Sequence, residues 1–244
     1  TSPQLAVESL HLLLCIRVLE RPRMMDNQNN FTLESLKSAA SFDESAARLY
    51  RRITCNSYDK FIEMFYIDLE KTIRLIEKNA SLMQNDGEDR LSIEIINILI
   101  GFGYDSGHDN YINGHSDIVV SFKNYTWIGE AKIHSSYDYL MEGFHQLCSR
   151  YSTGSEDDCQ GGLIIYVKSN NALDVVEKWK KTLTSKKDDF EDFYLSDCKT
   201  REKLSFYSSH KHPKSGLPYK VRHFAVILGF APKDKSARTA KSRK

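Results

Sequence analysis

The chain reads as an α/β fold, a mixed central sheet flanked by helices, with a helical region ahead of it. Two observations predict this. A stretch of helical period, Glu88 to Phe102, precedes two apolar strand-like runs, Ser116 to Phe122 and Thr126 to Ile133. A second helical stretch, Tyr137 to Tyr151, leads to the continuous apolar run Gly161-Gly162-Leu163-Ile164-Ile165-Tyr166-Val167. Helix, strands, helix, strand is the order expected of a mixed α/β sandwich.

The first third reads as helical throughout, over Leu5 to Leu19, Thr32 to Ala40, Asp43 to Arg52 and Tyr58 to Leu82. Asp43 and Ser57 are suited to cap helix N-termini, because their side chains accept from free backbone N–H groups. In the longest stretch, Phe61, Phe65, Leu69, Ile73 and Ile76 form one stripe at helical spacing. The polar run Asp26-Asn27-Gln28-Asn29-Asn30 marks a loop. No chemistry is visible here. Residues 1–84 are expected to be a helical appendage that packs on the following domain, or meets a protein partner or a second copy of the chain.

Residues 85–232 are expected to form the α/β domain. In Glu88 to Phe102 the apolar residues Leu91, Ile95, Ile98, Leu99 and Phe102 recur on one face, and Gly101 and Gly103 mark the end. Asp86, Glu88 and Asp89 stand at its start, where the helix dipole favours acids. Lys123-Asn124-Tyr125 separates the next two runs with turn-tolerant residues. With the turn centred on Asn124-Tyr125, Lys123 pairs with Thr126, Asp117 falls opposite Lys132 and Val119 opposite Glu130. Residues two apart share a face of a strand, so Asp117, Glu130 and Lys132 lie together on one face. A slip of one residue would send Asp117 to the other. Charge inside apolar strands is unfavourable by several kcal/mol unless compensated. A divalent cation with a phosphate would compensate. The alternative is a surface hairpin with a cross-strand Asp–Lys pair, but both faces of this hairpin are too apolar for a solvated one.

In Tyr137 to Tyr151 the residues Leu140, Phe144, Leu147, Cys148 and Tyr151 form the apolar stripe, with Gln146 beside it. The run from Gly161 suits a strand buried on both faces next to the hairpin, covered by a helix over Ala172 to Leu183. Leu204 to Ser208 and Val221 to Leu228 read as further strands. Between them, Ser208 to Lys220 is expected to be a long basic loop, placed to meet phosphates. His210, His212 and His223 match no closed zinc pattern.

Asp117, twelve intervening residues, then Glu130-Ala131-Lys132 resembles the signature of the PD-(D/E)XK nuclease superfamily. The likeness covers roughly Asp86 to Lys168, with Ser116 where the family usually has proline. It implies a restriction-endonuclease-like αβββαβ core and metal-dependent phosphodiester hydrolysis. Asp117 and Glu130 would bind Mg²⁺ or Mn²⁺, which take hard oxygen ligands, and the Ala131 carbonyl would supply a third ligand. Lys132 would orient the attacking water or stabilise charge on the phosphorane. A glutamate on the preceding helix often completes the family's site. Glu88 fits that position, beside its reading as a helix-start acid, and Glu94 is the weaker candidate. Many members carry Gln then Tyr on the helix after the hairpin. Gln146 fits either that role or a solvated helix position. Tyr151, five residues on, is off one helical face and reads as a core aromatic. Arg150 is a candidate phosphate contact or a surface arginine.

Composition narrows the remaining classes. Net charge is +1, so indiscriminate electrostatic binding of nucleic acid is not expected of the whole chain. Charge is uneven, however. Lys233, Lys235, Arg238, Lys241, Arg243 and Lys244 crowd residues 233–244, which are expected to be disordered. Cys15, Cys55, Cys148, Cys159 and Cys198 are scattered, with no CxxC. That usage fits a reducing, cytoplasmic setting. No apolar run spans a bilayer, and Leu10 to Ile16 lacks the features of a signal peptide, so no membrane partner is expected. Thr1 at the start is compatible with a piece of a longer protein. The function expected is a Mg²⁺-dependent nuclease acting on double-stranded DNA. By analogy with its superfamily, it would be an effector of a bacterial anti-phage or restriction system. The alternative is an inactive module of the same fold that binds nucleic acid or protein.

Overall fold

A computed structural model describes residues 31–107, 110–111, 115–169 and 171–233. The expected helix over Leu5 to Leu19, the Asp26–Asn30 loop, Cys15 and the tail beyond Lys233 lie outside the described residues.

By its contacts the chain divides between Tyr50 and Arg51. On the first side, α1 (Leu33–Ala39) opens with a capping box, the Thr32 side chain and Ser35 each accepting from the other's backbone N–H. Helix α2 (Glu44–Thr54) runs across the division, with Asp43 Oδ1 accepting from the Ala46 N–H at 2.7 Å.

Helix α3 (Tyr58–Lys78) belongs to the second unit, capped by Ser57. Phe61, Phe65, Leu69, Ile73 and Ile76 are all fully buried. They join Trp127, Ile164 and Phe224 of the sheet in one cluster. The boundary drawn from sequence between residues 84 and 85 therefore cuts through the second unit. An amphipathic stripe announces a buried face but not the surface it is buried against. The stretch expected to run to Leu82 breaks at Asn79, whose side-chain amide donates to the Leu75 carbonyl at 3.0 Å. A one-turn α4 (Ala80–Met83) follows. Asparagine competes with helical backbone bonds in this way.

Helix α5 (Glu88–Gly101) closes through Gly103, whose φ of +87° lies in the left-handed region that glycine adopts freely. It leads into a seven-stranded mixed sheet. The strands are β1 (Asp105–Gly107), β4 (Ile118–Phe122), β5 (Tyr125–Ile133), β6 (Gln160–Val167), β7 (Tyr194–Asp197), β8 (Ser205–Lys211) and β9 (Pro218–Ile227). Their spatial order is β1-β4-β5-β6-β9-β8-β7. β2 (Asn110–Tyr111) and β3 (His115–Ser116) form a separate two-stranded pair. β1, β4 and β5 are antiparallel, β5, β6 and β9 parallel, and β9, β8 and β7 antiparallel again. Helix α6 (Tyr137–His145) and a wide turn, Gln146–Tyr151, connect β5 to β6, and α7 (Ala172–Ser185) follows β6. Helices α3 and α5 cover one face of the sheet. Helices α6 and α7 cover the other, over Ile128, Leu163 and Ile165.

Two expectations are corrected. The β4–β5 register pairs Phe122 with Tyr125 and Ile118 with Gly129. The turn is therefore Lys123-Asn124, with Lys123 at φ +57°, and the pairing is shifted by two residues from the one expected. Because side chains alternate with period two, an even shift leaves Asp117, Glu130 and Lys132 on their common face. The expected loop over Ser208 to Lys220 is mostly strand: β8 extends to Lys211, β9 starts at Pro218, and only residues 212–217 connect them. The run Ser208-Ser209-His210 looks like a loop by composition. It lies buried; the two serine hydroxyls are bonded within the sheet, as in Ser208 Oγ to His223 Nε2 at 2.9 Å, while both His210 ring nitrogens have no hydrogen-bond partner.

Candidate active site

The site is built where two paired strands part company. β4 pairs with β5 only as far as Ile118 opposite Gly129, and Asp117 stands at a bend. Beyond that point, among the described residues, no strand pairs with Ala131 and Ile133 on that side. Buried N–H groups require acceptors, and two carboxylates supply them. The Ala131 N–H donates to Asp117 Oδ2 at 2.8 Å, and the Ile133 N–H donates to Glu88 Oε1 at 2.8 Å. A strand residue's N–H and C=O leave on the same side, so the Ala131 carbonyl emerges along this edge as well. Glu88 is the first residue of α5 and reaches the edge from the opposite layer.

Glu130 and Lys132 project from β5 toward α6. Lys132 Nζ lies 2.6 Å from Glu130 Oε1, 3.9 Å from Asp117 Oδ2 and 4.0 Å from Glu88 Oε2. Three carboxylates thus share one ammonium. Glu130 is 1% exposed, and its Oε2 has no hydrogen-bond partner. Burial, then the neighbouring Asp117 charge, pushes the Glu130 carboxyl up to about 7, with Lys132 opposing. Burial would lower the Lys132 ammonium. Glu130 and its hydrogen bond, then Asp117 and Glu88, more than reverse this and hold it above its ordinary value.

Helix α6 closes the site from above, capped by Ser136. The Tyr139 O–H lies 3.0 and 2.9 Å from the two Glu88 oxygens, and the Tyr139 ring centroid is 5.5 Å from Lys132 Nζ. One turn on, Gly143 packs its bare Cα over the pair. A Cβ there would come within 2.9 Å of Lys132 Cγ and 3.3 Å of Glu130 Cγ. Sequence reasoning missed both residues, although Tyr139, Gly143 and Gln146 follow at helical spacing on one face.

The chain then leaves the α-helix at Gln146 for a wide turn with i→i+5 bonding, as in the Ser152 N–H to Leu147 carbonyl bond at 3.4 Å. Tyr151 had looked misplaced at a spacing of five. Such a turn winds wider than an α-helix and returns the fifth residue to nearly the same side. Tyr151 is buried, as expected, and its phenol is raised by burial and then by Glu130. Gln146 Oε1 is buried without a partner. Gln146 and Arg150 also line a cleft of about 520 Å³ with Glu142, His145 and Lys186, which Asp117, Glu130 and Lys132 do not line.

Glu94 pairs with Arg90 at 3.3 Å and takes no part in the cluster. Ser116 is fully buried and its Oγ has no partner. The histidines do not form a zinc site. His223 accepts from the Trp179 indole at 3.1 Å and bonds Ser208, while His212 bonds Ser152 Oγ at 2.9 Å and accepts from the Lys214 N–H.

The donor set at the β5 edge suits a hard divalent cation: carboxylates from Asp117, Glu130 and Glu88, the Ala131 carbonyl, and a buried Glu130 oxygen with nothing to bind it. As they stand, no three His, Cys, Asp or Glu side chains among the described residues are grouped to hold a metal ion. The Lys132 ammonium lies among the carboxylates instead. Comparison of the chain with protein-family models, with curated proteins and with solved structures finds no match. Among the described residues, no helix is long and apolar enough to cross a membrane.

Proposed function

We propose that the chain is a divalent-metal-dependent nuclease that hydrolyses phosphodiester bonds of DNA. One observation carries the reading. Glu88, Asp117 and Glu130 meet within 4.0 Å of the Lys132 ammonium at the freed edge of β5, and one buried carboxylate oxygen, Glu130 Oε2, is left unpartnered. The order of α5, β1, β4, β5, α6 and β6, antiparallel and then parallel, supports a restriction-endonuclease-like core.

Bound Mg²⁺ or Mn²⁺ would supply a Lewis acid at the phosphoryl oxygen and lower the pKa of a water. Asp117, Glu130 and the Ala131 carbonyl would hold it. Lys132 keeps its proton at Nζ and donates to the attacking water or to the phosphate oxygen that gains charge. Glu88, fixed by the Tyr139 O–H and the Ile133 N–H, presents its carboxylate to the same space. Helix α6 shields Glu130 and Lys132 from solvent and strengthens each charge interaction.

A second reading is a binding module of the same fold that does not cleave. It draws on the 2.6 Å contact by which Lys132 already neutralises Glu130. Incubation with supercoiled plasmid separates the two. Nicking or linearisation with Mg²⁺, blocked by EDTA, is the expected result. A gel shift without cleavage at any Mg²⁺ or Mn²⁺ concentration overturns the nuclease.

A further inference from the structure

Most buried ion pairs in proteins are saturated with hydrogen bonds, since desolvated charge is tolerated only with full pairing. The Glu77 carboxylate shows this, with both oxygens bonded, while the facing Arg201 keeps one buried nitrogen, Nε, without a hydrogen-bond partner. One guanidinium nitrogen donates to Glu77 Oε2 at 2.9 Å and another to Oε1 at 2.7 Å, and Oε1 also accepts from the Ile227 N–H at 3.0 Å. The Glu130–Lys132 pair is built differently. An ammonium carries three donors, yet Glu130 Oε1 is its one acceptor within hydrogen-bonding distance among the described residues, because Asp117 and Glu88 lie at 3.9 and 4.0 Å. Glu130 Oε2 is likewise left open. Both ends of the Glu130–Lys132 pair thus have unused capacity.

We infer that Lys132 is the resident counter-ion of this carboxylate cluster and must release Glu130 before a divalent cation can be held there, so that Lys132 gates metal entry. The inference rests on the metal-dependent reading above. A lysine suits the task because its stem is flexible and its charge compact, whereas a guanidinium fork is fixed in place. Its displacement is short. The stem can keep its packing against the bare Cα of Gly143, while the Tyr139 ring and the Glu88 carboxylate offer the ammonium a place beside the one it vacates. From there Lys132 remains charged and within reach of a substrate phosphate. The counter-ion of the resting site thus becomes the hydrogen-bond donor of the loaded one.

Competition gives this gate an outcome opposite to that of a simple supporting residue. A lysine that merely shapes the site would, when removed, weaken metal binding. A competing one would strengthen it. In Lys132→Met, Mn²⁺ titrated by calorimetry is expected to bind at least about tenfold more tightly than to the unaltered protein, since one full charge has left the cluster. Equal or weaker affinity in the variant, with the unaltered protein binding, overturns the gate and leaves the nuclease reading standing. Binding by neither protein overturns both. A measurement on the unaltered chain guards against a variant that does not fold. Reductive methylation read by mass spectrometry should find Lys132 protected without metal and modified at saturating Mg²⁺. Unchanged protection on adding Mg²⁺ overturns the gate.

Discussion

Two charged clusters lie on opposite faces of the same sheet, and their difference lies in how carboxylates and bases are matched. Under α3, Glu70 and Glu77 meet Arg201 and Arg222, two acids with two bases. Arg222 is bonded to Glu70 and stacked over Phe224 and Tyr66, at 4.4 and 4.9 Å from the ring centroids. Under α6, the carboxylates of Glu88, Asp117 and Glu130 all lie within 4.0 Å of the Lys132 ammonium. The first cluster is neutral and tied to backbone at both ends. It fixes α3 to β9 and to the chain before β8. The second gathers three carboxylates on one ammonium, which is hydrogen-bonded to Glu130 at 2.6 Å. A fold gains nothing from crowding carboxylates in this way, whereas a site that receives a cation and a phosphate does.

The comparison breaks first at Lys132. Lys132→Ala is expected to lower the rate of DNA cleavage at least about a thousandfold, roughly 4 kcal/mol in the barrier, with the circular dichroism spectrum unchanged. Plasmid nicking with Mg²⁺ measures it, and full activity in this variant would remove Lys132 from the chemistry. The Arg cluster predicts the reverse. Arg201→Ala strands Glu77 with its buried charge and is expected to destabilise the fold by about 3 kcal/mol, read as a lowered denaturation midpoint. Any cleavage by the fraction that stays folded should be unaffected. A variant with normal stability would show that the two clusters do not divide the work in this way.

How far these clusters can be read from the sequence differs as well. Asp117, Glu130 and Lys132 stand in apolar strands two residues or one hairpin apart, so period-two alternation places them together even with the turn mis-centred by one residue and the pairing shifted by two. Glu88 was legible as an acid at a helix start and, through the family resemblance alone, as a site glutamate. Its part at the Ile133 N–H depends on β4 ending early, which no local pattern encodes. Tyr139 and Gly143 were invisible because each also fits an ordinary amphipathic helix. The wide turn at Gln146 hid the alignment of Tyr151, since a spacing of five is wrong for the α-helix that the apolar stripe announces. Glu70, Glu77, Arg201 and Arg222 come from distant segments, and nothing in any one of them signals the others. The short strands β1 and β7 escaped because their few residues are polar and alternate too briefly to show a period.

Titration sharpens the comparison with the smallest expected effect. His223 lies on the same face of the sheet as Glu130, covered by α6 and α7. Burial, then His210, lowers its imidazole to about 3. A folded pKa below the unfolded one means that the unfolded chain takes up the proton first. This contribution is therefore complete above about pH 6.5 and is lost as pH falls toward 3. At pH 5 the loss is about 2 kcal/mol. Glu130 has the opposite sign. Its carboxyl is raised to about 7, so its contribution is present below about pH 4.5 and fades as pH rises through 7. The two slopes oppose each other between pH 4.5 and 6.5 and partly cancel in the metal-free protein. Glu130→Gln removes one of them. Denaturant unfolding of that variant across pH 4 to 8 should show stability rising with pH through this window more steeply than in the unaltered chain. Equal slopes in the two proteins would mean that Glu130 ionises as an ordinary carboxylate, and the crowding of carboxylates that sets the α6 cluster apart from the arginine cluster would then be fully compensated by Lys132.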